Sequence, residues 1–432
     1  MKYRRRFACR RKDRTVHAFE YLQGLFHECK SNVERMVERI PDSNYQQLQH
    51  FISDSEWDAE AVMRDVAENT NLSLESVVGE KGLILDESGN EKAGKKSVGV
   101  ARQYIGNVGK VCNSQNGVYA GLSRGDKIGL VGAKLYLPCE WTSDQKRCAK
   151  AGIPKAERKY RTKPELGLEL ITELKGVIEY DWVGGDSVYG NSPELRRSLR
   201  ELRTAFVMDV GEELQVCLEK PQLYVPESSG RGRRKSRLVS NQEKISLKNL
   251  IAIIPAKEWK TIEYREGTKG RLVREAVLKK VWIWKKGTAE IEAAELLISR
   301  KADHTEVKYS LCHQPQGELS VERALFRQMQ RYWIERGFQE IKEQIGLHQY
   351  QVRGWRAWQH HIALTMMALH FILETQVENA GNLPLMSCGD VKLMLGNILK
   401  NKLDEPEILM QTIHQRHKVR RDDILRCKQF LI

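Results

Sequence analysis

Apolar positions in the N-terminal part of the chain recur every three or four places. In FEYLQGLFHECKSNVERMVERI and NYQQLQHFISDSEWDAEAVMRDVAENT polar residues fill the gaps, which predicts amphipathic helices and a helical N-terminal region over residues 1–78. From Lys81 the rhythm changes. GLILD (Gly82–Asp86) is a short apolar run closed by an acid, and the turn ESGNEKAGKK follows it. SVGVARQYIG, NGVYAGLS and KIGLVGAKLYLP then carry the small and β-branched residues and the glycine punctuation of strands. KPELGLELITELKG returns to helical spacing before EYDWVGGDSVYG, a second apolar run that ends in an acid. SPELRRSLRELR predicts a helix and TAFVMDV a strand. This alternation predicts an α/β domain with a mixed sheet over residues 79–210.

Over residues 211–318 the helical signal fades. WKTIEYREG, RLVREAVLKKVWIWKKG and AAELLISRK alternate in the manner of antiparallel strands, so this stretch is expected to be a strand-rich insertion, entered through the basic loop SSGRGRRKSR. Helical spacing resumes in SVERALFRQMQRYWIERGFQEIKEQIG and in the more apolar WRAWQHHIALTMMALHFILETQ, which together span residues 319–376. The tail, residues 377–432, reads as helical with mixed charge.

Charge narrows the function classes. With 71 Lys and Arg against 57 Asp and Glu the formal charge is +14, which points to a polyanionic partner. A membrane is not expected, because the longest apolar run, IALTMMALHFIL (Ile362–Leu373), is short of the roughly 18 residues that a span requires. The basic N-terminus, MKYRRRFACRRKDR, lacks the apolar stretch of a secretory signal. It could instead grip a DNA backbone ahead of the first helices. The 9 cysteines form no C-x-x-C pair, so neither a disulfide framework nor a zinc site is indicated and a cytoplasmic location fits. His360 and His361 lack a third ligand at metal spacing, and YIGNVGKV does not meet the phosphate-loop pattern.

Three acids fall where chemistry can use them: Asp86 and Asp186, each just after an apolar strand, and Glu335 inside a helix. Carboxylates at neighbouring strand ends project from one sheet edge, where a packed helix can add a third and the set can hold Mg²⁺ through hard oxygen ligands. Asp181, Glu179, Glu87 and Asp209 are nearby competitors, and Asp209, which closes the strand TAFVM, is not separable from Asp186 by pattern. On the helix, Arg331, Glu335 and Lys342 lie within about 60° of one another, beside an apolar face of Ile334, Phe338, Ile341 and Ile345. Alone, Arg331 and Glu335 make an ordinary ion pair one turn apart, worth about 0.3–0.5 kcal/mol on a solvated face.

In combination these residues resemble the DDE transposases of bacterial insertion sequences. The match is closest to the group with the signature Y-x2-R-x3-E-x6-K and an RNase H-like α/β core interrupted by a β-rich insertion. The similar stretch runs from about Ser43 to Phe371. The resemblance implies that Asp86, Asp186 and Glu335 are the catalytic, metal-binding triad, and it is what selects Asp186 over Asp209. It implies two Mg²⁺ ions, with Mn²⁺ as substitute, and it gives Arg331 and Lys342 the holding of DNA phosphates. One departure is plain: the signature tyrosine falls on Gln328, and Tyr332 lies on another face of the helix.

The same resemblance assigns DNA contacts to the insertion. Trp284, beside Trp282 in KKVWIWKKG, is a candidate for stacking a base, since aromatic faces accept any base and lysines flank the pair. Alternation equally makes both tryptophans half-buried strand residues. Arg231, Arg233, Arg234 and Lys235 in the basic loop are candidates for the DNA backbone. The function implied is a DNA transposase that cuts double-stranded DNA at the element's ends and joins the freed 3′-hydroxyl to target DNA, working as a homodimer on DNA in the cytoplasm, at the nucleoid. Its rivals are a transposase-derived nuclease without strand transfer and a DNA-binding protein that kept the fold without the chemistry.

Overall fold

In the computed structural model the described residues are 2–9, 12–27, 32–106, 109–227, 236–267 and 270–429. Most helices begin at a side chain that accepts the free N–H groups of the first turn. After α1 (Thr15–Phe26), α2 (Tyr45–Ser53) is capped by Asn44 and α3 (Ala59–Ser73) by Asp58. Strand β1 (Lys81–Glu91) is buried continuously from Lys81 to Leu85, as a central strand covered on both faces must be. The strands β2 (Ala101–Ile105), β3 (Lys110–Arg124) and β4 (Lys127–Leu135) follow it. Thr162 and Glu165 cap one another reciprocally at the start of α4 (Lys163–Leu174). Next come β5 (Trp182–Gly185), a single helical turn Ser187–Gly190, α5 (Pro193–Glu201) and β6 (Phe206–Asp209).

Beyond β6 two short ribbons and a helix, Leu247–Ile253, precede the long strands β7 (Lys260–Gly267), β8 (Gly270–Trp284), β9 (Ile291–Arg300) and β10 (Val307–His313). The helices α6 (Val321–Glu340), α7 (Trp355–Glu378), α8 (Cys388–Ile398) and α9 (Pro406–Gln429) complete the chain. No helix of the described residues is long and apolar enough to cross a membrane.

All ten long strands belong to one sheet, in the order β7-β8-β9-β10-β6-β5-β1-β3-β2, with β4 also paired to β3. At its centre β1, β5 and β6 run parallel, while β3 is antiparallel to β1 and β4 antiparallel to β3. Counted along the chain, β1, β3, β4, β5 and β6 lie in the spatial order 3-2-1-4-5, the RNase H-like arrangement. Apart from the two short ribbons, the strands described after β6 do not build a sheet of their own. The last of them, β10, pairs antiparallel with β6, so β7–β10 extend the central sheet.

Alternation along the parallel strands gives the sheet two different faces. Leu83, Leu85, Val183, Phe206 and Met208 pack under α4 and α5 through Leu166, Leu170, Leu195 and Leu199. Ile84, Trp182 and Val207 point the other way, into a core shared with Ala324, Leu325, Ile334 and Phe338 of α6. A small residue allows this approach: a Cβ on Gly121 of β3 would sit 2.3 Å from Ile334 Cδ1.

The sequence pattern predicts a continuous helix through Gly346, and the structure differs. The α-helix stops at Glu340, a wider π-helical turn runs over Ile341–Ile345, and Gly346 ends it at φ 72°. Left-handed backbone of this kind is cheap only for glycine. Ile341 and Ile345 stay fully buried through the turn, so burial keeps the helix path while its hydrogen-bonding period changes.

Candidate metal and DNA site

Strand register builds the site. Leu85 of β1 lies beside Gly185 of β5, and Gly185 beside Met208 of β6. The next residue in each case is therefore Asp86, Asp186 or Asp209, three aspartates in a row where the parallel pairing ends; β5 and β6 stop there, whereas β1, expected from sequence to close at Asp86, runs on to Glu91 beside β3. Counting by twos from Ile84, Gly184 and Val207 puts all three on the face covered by α6. The turn after β5 is held tightly against β6, because a Cβ on Gly190 would lie 1.8 Å from the Asp209 carbonyl oxygen.

Two of these aspartates meet a third carboxylate. One oxygen from each of Asp86, Glu87 and Asp186 lies within 4.8 Å of the others. Backbone N–H groups hold the aspartates: Asp86 Oδ1 accepts from Glu87 at 2.7 Å, and Asp186 Oδ1 accepts from Val188 at 2.9 Å while capping the Ser187–Gly190 turn. Glu87 Oε1 accepts from Lys163 Nζ at 2.6 Å, whereas Glu87 Oε2 is buried without a hydrogen-bond partner among the described residues. Burial, and after it the Asp186 charge, push the Asp86 carboxyl up to about 7 against the pull of Arg331. Asp186 is raised by burial and then by Glu87. The cluster is short of positive charge, and its orphaned oxygen and all-oxygen donor set fit a hard divalent cation.

Asp209 is in a different condition. Ser310, its neighbour across the β6–β10 pairing, donates to Oδ1 at 2.6 Å, and Arg331 Nε lies 3.1 Å from Oδ2. Arg331 Nη1 reaches Glu335 Oε1 at 2.8 Å. Burial works against the charge of Arg331, but Asp209, Glu335, Asp86 and Asp186 outweigh it and raise the guanidinium pKa. Glu335 lies exposed on α6, and its carboxylate is not one of the three that meet within 4.8 Å. Lys342 sits half-buried on the π-helical turn; burial lowers its pKa and Asp86 draws it back up.

The remaining sequence candidates divide. Gln328 is 2 % exposed, so the residue in the place of the signature tyrosine does not reach the surface. Its Nε2 donates to Ser310 Oγ at 2.7 Å and its Oε1 accepts from Ser299 Oγ at 2.6 Å. Trp284 is buried, its indole N–H donates to the Thr288 carbonyl at 2.8 Å and Lys244 Nζ lies 4.5 Å from the ring centroid. Stacking a base on it requires this hairpin end to open. Arg231, Arg233, Arg234 and Lys235 lie outside the described residues.

Two features escaped the sequence pattern. Glu87 was only one of several neighbouring acids, since alternation sends it to the opposite face from Asp86. Asp209 carried a signal, its strand-end position, but its pairing with Arg331 depends on how α6 crosses the sheet.

Residues 7–271, more than half of the chain, match the family model described as DDE superfamily endonuclease. A probable transposase for insertion sequence element IS701 from Microchaete diplosiphon is 34% identical over 187 residues. That match takes in 41% of this chain and 44% of the relative, so the chain spans less than half the length of the curated relative it matches. Among solved structures, the piggyBac transposase synaptic complex with hairpin DNA, seen by cryo-EM, aligns with a TM-score of 0.41 at 12% identity, over 90% of this chain and 71% of that one.

Proposed function

This chain belongs to the DDE superfamily of endonucleases, and from that premise we propose that it is a DNA transposase. It cuts double-stranded DNA at the ends of its element and joins the freed 3′-hydroxyl to target DNA. The observation that carries the reading is the meeting of Asp86 and Asp186 on adjacent parallel strands, in a half-buried cluster with too little positive charge, beside Arg331 and Lys342. Asp86, Asp186 and Glu335 are the residues that would hold two Mg²⁺ ions, or Mn²⁺ in their place. When bound, such ions supply activation of the attacking oxygen and stabilisation of the leaving oxygen in an in-line displacement at phosphorus.

The chain's own groups do the rest. The N–H groups of Glu87 and Val188 each hold one oxygen of the two aspartates. Arg331 and Lys342 offer phosphate-binding charge at the rim of the cluster. A phosphate that takes over Arg331 Nη1 releases Glu335 from its present ion pair, leaving that carboxylate free to complete the triad. The basic loop with Arg231, Arg233, Arg234 and Lys235 tracks the DNA backbone, and Trp284 offers a stacking face once its hairpin opens. Two element ends require two such sites, so the working form is a homodimer on DNA, acting in the cytoplasm at the nucleoid.

The test is a reconstitution with duplexes carrying the sequences that bound the reading frame, a target plasmid, and Mg²⁺ or Mn²⁺. Cut ends joined to the plasmid are expected. Cutting without joined product would reassign the protein as a metal-dependent nuclease, and binding without cutting as a non-catalytic DNA-binding protein. Glu335→Gln is expected to remove cutting while DNA stays bound, and cutting that survives it would remove Glu335 from the triad.

A further inference from the structure

We infer that Asp209 is a positioning residue: it holds the Arg331 guanidinium at the rim of the acidic cluster, in the orientation that receives a DNA phosphate. The inference rests on the reading of this edge as a site of phosphodiester cutting. It starts from an asymmetry in the row of aspartates. Asp86 and Asp186 turn toward each other and Glu87, whereas both oxygens of Asp209 are engaged, one by Ser310 at 2.6 Å and one by Arg331 at 3.1 Å.

The anchor is supported from below. Ser299 donates to Gln328, Gln328 donates to Ser310, and Ser310 donates to Asp209, so a buried chain of hydrogen bonds ties β9, α6, β10 and β6 together. With Oδ1 of Asp209 taken by Ser310, Oδ2 is the oxygen that pairs with Arg331 Nε, as an ion pair at 3.1 Å without a hydrogen bond. A guanidinium whose Nε side is drawn to a carboxylate by charge, without a hydrogen bond there, keeps its two terminal nitrogens for other partners. One of them holds Glu335 now, at 2.8 Å. Gln328 thus gives this chain a different use for the signature's tyrosine position. It sits 2 % exposed beneath the site and steadies Arg331 from inside rather than touching DNA. A charge placed on a rigid element in this way loses less freedom on binding a phosphate than a free surface arginine does.

The experiment measures the salt dependence of binding to one duplex in metal-free buffer, for wild type, Asp209→Asn, Arg331→Gln and the double variant. Each single variant is expected to reduce the slope of log K on log salt by about 0.9, the share of one phosphate, and the double variant to lose no more than either single. Removing a negative charge beside DNA by itself tightens binding. Tighter binding with an unchanged slope in Asp209→Asn, or losses that add in the double variant, would therefore overturn the inference. In Mn²⁺ the cutting rate of Asp209→Asn at saturating DNA is expected to fall about 10–100-fold, as for outer partners of catalytic groups. If wild type binds DNA but cuts nothing, the transposase reading falls while the salt slopes still decide on Asp209. Should Asp209→Asn not fold, as judged by its thermal melt, Ser310→Ala interrupts the same chain and carries the same test.

Discussion

Asp86, Glu87 and Asp186 crowd together at one end of a strip of sheet edge with Lys163 as the direct cationic partner of the group. One strand further on, Asp209 and Glu335 share Arg331, and Ser310 supplies a further hydrogen bond. The aspartates of both groups lie on the same face of the sheet, and both Asp86 and Asp209 are raised by burial. They differ in what compensates the burial. Carboxylates buried against each other are costly until a cation or proton arrives, so the first group is poised to bind. Asp209, held against a guanidinium, already has its counter-charge, and what it contributes is a fixed geometry. The same residue type therefore does two jobs within three neighbouring strands, and the partner decides which.

The largest effect expected from that division is on cutting. Asp86→Ala or Asp186→Ala should lower DNA cleavage by roughly 10⁴-fold, the scale on which a central catalytic group is lost, while binding in metal-free buffer stays within about threefold. A variant that still cuts within tenfold of wild type would break the comparison. Stability should run the opposite way. Asp209→Ala strips Arg331 of a partner at a poorly solvated position and should cost about 3 kcal/mol in urea unfolding. Asp186→Asn without metal should cost nothing or stabilise, because it relieves repulsion.

A buried group away from the edge gives the pH scale. The partners of His361 assign it a neutral tautomer, with Nδ1 accepting from the Tyr21 hydroxyl at 2.8 Å and Nε2 facing the Leu347 carbonyl at 3.2 Å. Burial lowers its pKa from 6.5 to about 3. Between those values the unfolded chain takes up a proton that the folded chain refuses. Its contribution is thus complete above about pH 6.5 and is lost as pH falls, by roughly 3 kcal/mol at pH 4. Urea midpoints of wild type and His361→Gln should converge as pH drops from 7 to 4, and a constant gap would show that His361 titrates normally. The smallest effect sharpens the comparison most directly. Mn²⁺ at ten times its dissociation constant should stabilise wild type by about 1.4 kcal/mol. Asp209→Asn should keep that increment and Asp186→Asn should lose it, as read by thermal melts with and without the ion.

Much of this arrangement was legible in the chain. Apolar runs closed by an acid marked the strands that carry Asp86 and Asp186, because a central parallel strand must be apolar on both faces and its first polar residue marks the sheet edge. The spacing of Ile334 and Phe338 marked the buried stripe of α6, and both are buried. Less could be read where two elements meet. TAFVM closed by Asp209 has the same local pattern as its neighbour, and only the crossing of α6 gives Asp209 an arginine. Nor does any local signal at Gln328 disclose that two serines on strands β9 and β10 close around it.

Sequence by itself determined the periodicities, the excess of positive charge, the strand-end acids and the resemblance to a transposase family, since each depends on residues close together in the chain or on their order. Tertiary structure alone decided that β7–β10 extend the central sheet, that the helix after Glu340 widens into a π-helical turn, and which aspartate faces a cation. Those outcomes depend on register and on distances between residues far apart in the chain. A carboxylate's role is set by the charge within a few ångströms of it, and that charge comes from another element.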